Sequence, residues 1–131
     1  MVCLDTSVLV ALIRKDRAAL ERLNSEVEGG GAVSTTMISL CEMYSGAHGS
    51  KDPDRELARI GELMSSLGVL GVDTGAARRY GELVHDPGLK REPIGDFELI
   101  IASIALQNGE KLVTRNLKHF GRVPGLVTER W

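Results

Sequence analysis

Four acids stand where chemistry is possible. Asp5 follows the apolar run Val2-Cys3-Leu4, and Glu42, Asp96 and Glu98 lie in helical patterns. Clustered carboxylates repel one another unless a cation sits between them, and hard oxygen donors select Mg2+ or Mn2+ over zinc. Such a site lowers the pKa of a bound water and stabilises charge on a phosphodiester. The sequence offers no better nucleophile. Cys3 falls inside the first apolar run, and His48, His85 and His119 read as loop or surface residues. Cys3 and Cys41 make no CxxC and no zinc spacing, so both read as buried, reduced thiols.

Each acid also has a plainer reading. Asp5 suits a helix cap, although Thr6 or Ser7 can cap without it, which favours a site. Glu42 suits a solvated helix face. Met37, Leu40, Cys41, Tyr44 and Ala47 form an apolar stripe from whose centre it points away. Asp96 suits an N-cap, and Glu98 an acid favoured by the helix dipole. Two residues apart means about 200° of rotation, so Asp96 and Glu98 do not face one cleft together.

The elements that must position these acids alternate. Strands are expected at residues 2–4, 32–34, 69–72 and 111–114, with a short fifth at 126–128. Helices are expected at residues 8–14, 18–27, 37–47, 54–67, 74–84 and 96–108, with a loop at 87–93. The helix at 96–108 is apolar nearly all round and should be buried. The run Val8 to Ile13 is also richly apolar, as a buried helix or one meeting a partner would be. Alternation of this kind specifies α/β architecture with a parallel sheet. Ligands in such sheets bind at the carboxyl ends of the strands. Asp5-Thr6-Ser7, Ser34-Thr35-Thr36 and Thr114-Arg115-Asn116 all fall there.

Length and composition set the bounds. The chain has 131 residues, 43% of them hydrophobic, and a net charge of −2. One domain spanning residues 1–131 is expected, with an ordinary hydrophobic core. The balance of 16 basic to 18 acidic residues argues against a wholly basic nucleic-acid-binding face. Setting aside Asp5, Glu42, Asp96 and Glu98 leaves bases in excess, so a nucleic-acid substrate remains compatible. No secretory signal and no membrane-spanning run is read, which predicts a cytoplasmic protein with no membrane partner.

Four segments together resemble a known family. Leu4-Asp5-Thr6-Ser7-Val8-Leu9-Val10 resembles the opening of PIN-domain ribonucleases, as does Ser34-Thr35-Thr36 followed by Cys41-Glu42-Met43-Tyr44-Ser45-Gly46-Ala47. Pro93-Ile94-Gly95-Asp96-Phe97-Glu98 through Ala102 does the same. Leu112-Val113-Thr114-Arg115-Asn116-Leu117-Lys118-His119-Phe120, with Val123-Pro124-Gly125-Leu126, is similar to the VapC toxins of type II toxin–antitoxin systems. The resemblance implies a three-layer fold with a central parallel sheet of four to five short strands flanked by helices. It implies a metal-dependent endoribonuclease using Mg2+, for which Mn2+ can substitute. Asp5, Glu42 and Glu98 take the positions of the family's acids. Glu98 stands where most members have aspartate, which leaves Asp96 as the alternative third acid. Asn116 falls where aspartate is frequent and reads as a neutral ligand or water positioner. Thr6 and Thr114 would orient ligands from behind, and Arg14, Lys15, Arg115 and Lys118 would contact RNA phosphates. The implied partners are an RNA substrate, a small VapB-like antitoxin lying along a groove, and a second copy in a homodimer. Two other readings stand beside it: a phosphohydrolase with Asp5 as nucleophile, and a non-catalytic binding module on the same fold. The first usually wants an acid two residues after the nucleophile, where Ser7 stands.

Overall fold

The computed structural model describes residues 1–131. Strand β1 (Val2–Leu4) is buried throughout and leads into helix α1 (Thr6–Ile13). Neither Thr6 nor Ser7 caps that helix. Asp5 does, accepting a hydrogen bond from the Val8 amide. Helix α2 (Arg17–Glu28) follows, capped by Asp16, and then strand β2 (Val33–Thr36). Thr36 caps helix α3 (Met37–His48), and Asp52 caps helix α4 (Pro53–Met64), which has Pro53 at its start. Strand β3 (Gly68–Leu70) is followed by helix α5 (Thr74–Val84), capped by Asp73. The expected loop at 87–93 contains a short helix, α6 (Pro87–Arg91), which Asp86 caps. Helix α7 (Asp96–Gln107), strand β4 (Lys111–Val113), helix α8 (Leu117–Phe120) and strand β5 (Thr128–Glu129) complete the chain.

The five strands form one parallel sheet in the order β3-β2-β1-β4-β5. The chain moves outward from β1 through β2 to β3, then returns to the other side of β1 for β4 and β5. The order therefore reverses between β1 and β4, which makes that crevice the topological switch point where α/β sheets take ligands. Leu4 pairs with Thr35 on one side and Val113 on the other, so the residues after β1 and β4 emerge side by side.

Alternation along β1 divides the core into two layers. Val2 and Leu4 pack with Val8, Leu9, Leu12, Met43 and Ile60 on one face of the sheet. Cys3 and Leu112 pack with Leu99, Ile101 and Phe120 on the other. Helix α7 is buried along most of its length, as its composition requires, although Phe97 at its start is 53% exposed. Burial pushes the Cys3 thiol up to about 12, which leaves it inert as a nucleophile. Cys41 is exposed rather than buried. No helix is long and apolar enough to cross a membrane.

The apolar stripe expected on α3 packs only in part, through Leu40 and Ala47. Met37, Cys41 and Tyr44 are exposed, and the helix buries Ser39, Met43 and Ala47. Ser39 tolerates this because its amide and hydroxyl are both bonded to the Thr36 hydroxyl that caps the helix. Glu42, next to Met43, lies beside the packed face instead of opposite it.

Candidate active site at the β1–β4 switch point

Asp5 lies at the end of β1 and is 3% exposed. Its Oδ1 accepts from the Ser7 hydroxyl at 2.6 Å and the Val8 amide at 3.2 Å. Its Oδ2 accepts from the Thr114 hydroxyl at 2.6 Å. All these donors are neutral, and no lysine or arginine pairs with the carboxylate. Burial raises the Asp5 pKa, and the hydrogen bonds from Ser7, Thr114 and Val8 only partly offset it. A buried carboxylate without a cationic side chain is costly, and a bound cation would relieve that cost.

Two threonines connect Asp5 to the other acids. Thr6, the next residue in the chain, donates to Glu42 Oε1 on α3 at 2.6 Å. Thr114 accepts from the Asn116 amide at 2.9 Å while donating to Asp5. The Asn116 side chain in turn donates from Nδ2 to Glu98 Oε2 at 2.8 Å. The path Asp5–Thr114–Asn116–Glu98 thus joins β1, β4 and α7 through hydrogen bonds.

Glu98 sits in the first turn of α7. The N-cap is Gly95, not Asp96, and the Gly95 amide donates to Glu98 Oε1 at 3.1 Å. This is half of a capping box, since glycine has no side chain to return the bond. His119 Nδ1 lies 2.9 and 3.0 Å from the two Glu98 oxygens. Asp96 is exposed at the helix start, outside this set of contacts.

The basic residues divide. Arg14 lines a groove of about 390 Å³ with Thr6 and Glu42. Lys15, at φ 58°, borders a separate depression between α1, α2 and α4. Lys118 is exposed on α8, the element that carries His119. The Arg115 guanidinium is committed elsewhere, to Asp16 and to the Trp131 carbonyl. That hydrogen bond from Arg115 holds the Asp16 carboxyl below its usual range. Two contacts are absent from the sequence reading. Ser7, expected as a cap or a hydroxyl at the strand ends, donates to Asp5 and accepts from the Arg115 amide. His119 read as a surface residue, because α8 is too short to leave a periodic signal.

The donor chemistry fits a hard divalent cation: three carboxylates, hydroxyls behind them, and a buried charge without a counterion. As the side chains stand, no three acidic, imidazole or thiol groups converge tightly enough to chelate one ion together. Asp5, Glu42 and Glu98 are the residues that would hold such an ion, directly or through water.

The sequence profile of the PIN domain matches residues 2–126. The chain belongs to the PIN domain family. The tRNA(fMet)-specific endonuclease VapC of Shigella flexneri is 34% identical over 129 residues, covering 98% of this chain and 96% of that protein. Ribonuclease VapC2 of Haemophilus influenzae is 32% identical over 128 residues, with the same coverage of 98% and 96%. Among solved structures, the PIN domain chain matches the DNA-bound VapBC of Salmonella typhimurium with a TM-score of 0.91 and 34% identity. That match covers 100% of this chain and 99% of the other. VapBC2 of Rickettsia felis, bound to a promoter DNA fragment, matches with a TM-score of 0.93, 28% identity and the same coverage of 100% and 99%. The three-layer parallel arrangement is the one this PIN domain shares with them.

Proposed function

We propose that this PIN domain is a metal-dependent endoribonuclease, the toxin of a toxin–antitoxin pair. The observation that carries the reading is Asp5: buried at the switch point, ionisable, and held only by neutral donors. Its support comes from VapC relatives named as ribonucleases and tRNA endonucleases.

When bound, Mg2+ or Mn2+ would supply an acidified water and charge stabilisation at the scissile phosphate. Asp5, Glu42 and Glu98 would hold it, directly or through water. Thr114 fixes the rotamer of Asp5 by donating to Oδ2, and Ser7 and the Val8 amide fix the other oxygen. Thr6 keeps Glu42 turned toward the end of β1. Asn116 serves as a positioner, because its amide nitrogen faces Glu98. Arg14 and Lys118 are free to meet RNA phosphates, with Lys15 further out. Arg115 has its charge spent within the fold.

The groove beside Glu42 suits the antitoxin. Val10, Ile13, Ala47 and Ile60 give it an apolar floor, and Arg14, Glu56 and Arg59 a charged rim. A chain segment lying there would end against Thr6 and Glu42. A homodimer and a cytoplasmic setting accompany this reading, which treats residues 1–131 as one domain. The test is cleavage of RNA by purified, antitoxin-free protein with Mg2+ or Mn2+. Activity that requires the cation and is lost in Asp5→Asn supports the reading. No cleavage with either metal, with Asp5→Asn behaving identically, leaves a non-catalytic module.

A further inference from the structure

Glu98, like Asp5, meets three hydrogen-bonding partners. The Gly95 amide and Asn116 Nδ2 each bond one of its oxygens, at 3.1 and 2.8 Å. His119 Nδ1 faces both oxygens at 2.9 and 3.0 Å. An ionised carboxylate only accepts hydrogen bonds, so this contact assigns the ring proton to Nδ1. The 3.1 Å approach of Asn116 Nδ2 to the same nitrogen is then a packing contact between two donors.

We propose that His119 is a positioning residue for Glu98, acting with Asn116 to hold the flexible glutamate arm where its carboxylate serves the metal site at Asp5. This rests on the nuclease reading above. Residue 116 is the N-cap of α8 and His119 lies three residues on, so the register of one short helix sets both donors. The Asn116 backbone amide also holds Thr114, whose hydroxyl fixes Asp5. One turn of chain therefore sets the relative placement of Asp5 and Glu98.

The Asn116 side-chain amide presents a donor to the Glu98 carboxylate, a contact that alanine at residue 116 would remove. His119 performs for Glu98 what outer hydrogen-bonding partners do for metal ligands generally, and losing such a partner typically costs ~10–100-fold in metal affinity or activity.

The test is Mn2+ affinity of metal-stripped protein by calorimetry, with kcat and KM for RNA and a thermal melt of each variant. His119→Ala is expected to weaken Mn2+ binding ~10-fold or more and to lower kcat with KM little changed. His119→Asn, whose Nδ2 stands as many bonds from Cβ as the imidazole Nδ1, is expected to restore most of both. Asn116→Ala is expected to weaken Mn2+ binding as well. If His119→Ala does not fold, His119→Asn and Asn116→Ala carry the test. Unchanged Mn2+ affinity and kcat in His119→Ala overturn the proposal. So does a folded His119→Asn no better than His119→Ala, or undiminished Mn2+ binding in Asn116→Ala. Asp5→Asn separates the two claims: if it loses Mn2+ binding and cleavage while His119→Ala keeps both, only the positioning role falls.

Discussion

The Thr114 hydroxyl lies 2.6 Å from Asp5 Oδ2, joining residues 109 apart in the chain across two neighbouring parallel strands. Thr114 is fully buried, and it also receives the Asn116 amide. Thr114→Val keeps the shape and removes both interactions. Activity is expected to fall ~10–100-fold, as when a ligand loses its supporting partner. Stability is expected to fall by about 1–3 kcal/mol from the stranded polar groups. Steady-state kinetics beside a thermal melt checks both.

Asp5 gives a pH dependence with a definite sign. Its pKa in the fold is raised by burial. The folded state therefore holds the proton more tightly than the unfolded chain. The associated stability is fully present below the unfolded pKa and is lost as pH rises through the folded value. In EDTA, Tm should fall as pH rises through this acid range, less steeply in Asp5→Asn. Adding Mg2+ or Mn2+ at neutral pH should raise Tm of the wild type and not of Asp5→Asn. Melts across pH, with and without the cation, measure this.

The two acids of α7 should respond differently. Glu98→Gln keeps the size and removes the charge that Asn116 and His119 face, so RNA cleavage is expected to fall at least tenfold, in line with ~10–100-fold for metal-site partners. Asp96→Asn touches an exposed residue at the helix start, where the dipole makes an acid worth about 0.3–1 kcal/mol. Cleavage by Asp96→Asn should stay within about fivefold of wild type, since ~1.4 kcal/mol is a tenfold effect. The reverse order would make Asp96 the third acid.

The cations should separate by salt dependence. Arg14→Gln and Lys118→Gln are each expected to reduce the slope of log affinity against log salt by about 0.7 for a single-stranded RNA, with little change in Tm. Arg115→Gln should do the opposite, lowering Tm through lost contacts to Asp16 and Trp131 while the slope stays. Binding of RNA to catalytically silent Asp5→Asn protein at several salt concentrations reads this out.

The parts of the fold legible in sequence are those with a local signature. Val2-Cys3-Leu4 announces β1 as an apolar run, and the hydroxyls and acid after it announce a strand end at a site. The order of strands and helices follows from the same alternation, and with it the edge where Asp5, Thr114 and Asn116 meet. The stripe on α3 misleads because Ser39 is buried through its bonds to Thr36, while Met37, Cys41 and Tyr44 face outward. Asp5 as the α1 cap misled differently: its cap and site roles are compatible, since Oδ1 takes the Val8 amide and Oδ2 takes Thr114. His119 is illegible because its role depends on a four-residue helix meeting the start of another helix through space.

The most direct measurement is RNA cleavage by purified, metal-stripped protein as Mg2+ or Mn2+ is added back, wild type against Asp5→Asn. The account predicts cleavage that appears only with the cation and disappears in the variant. Cleavage that persists in EDTA, or that Asp5→Asn performs as well as wild type, would contradict it.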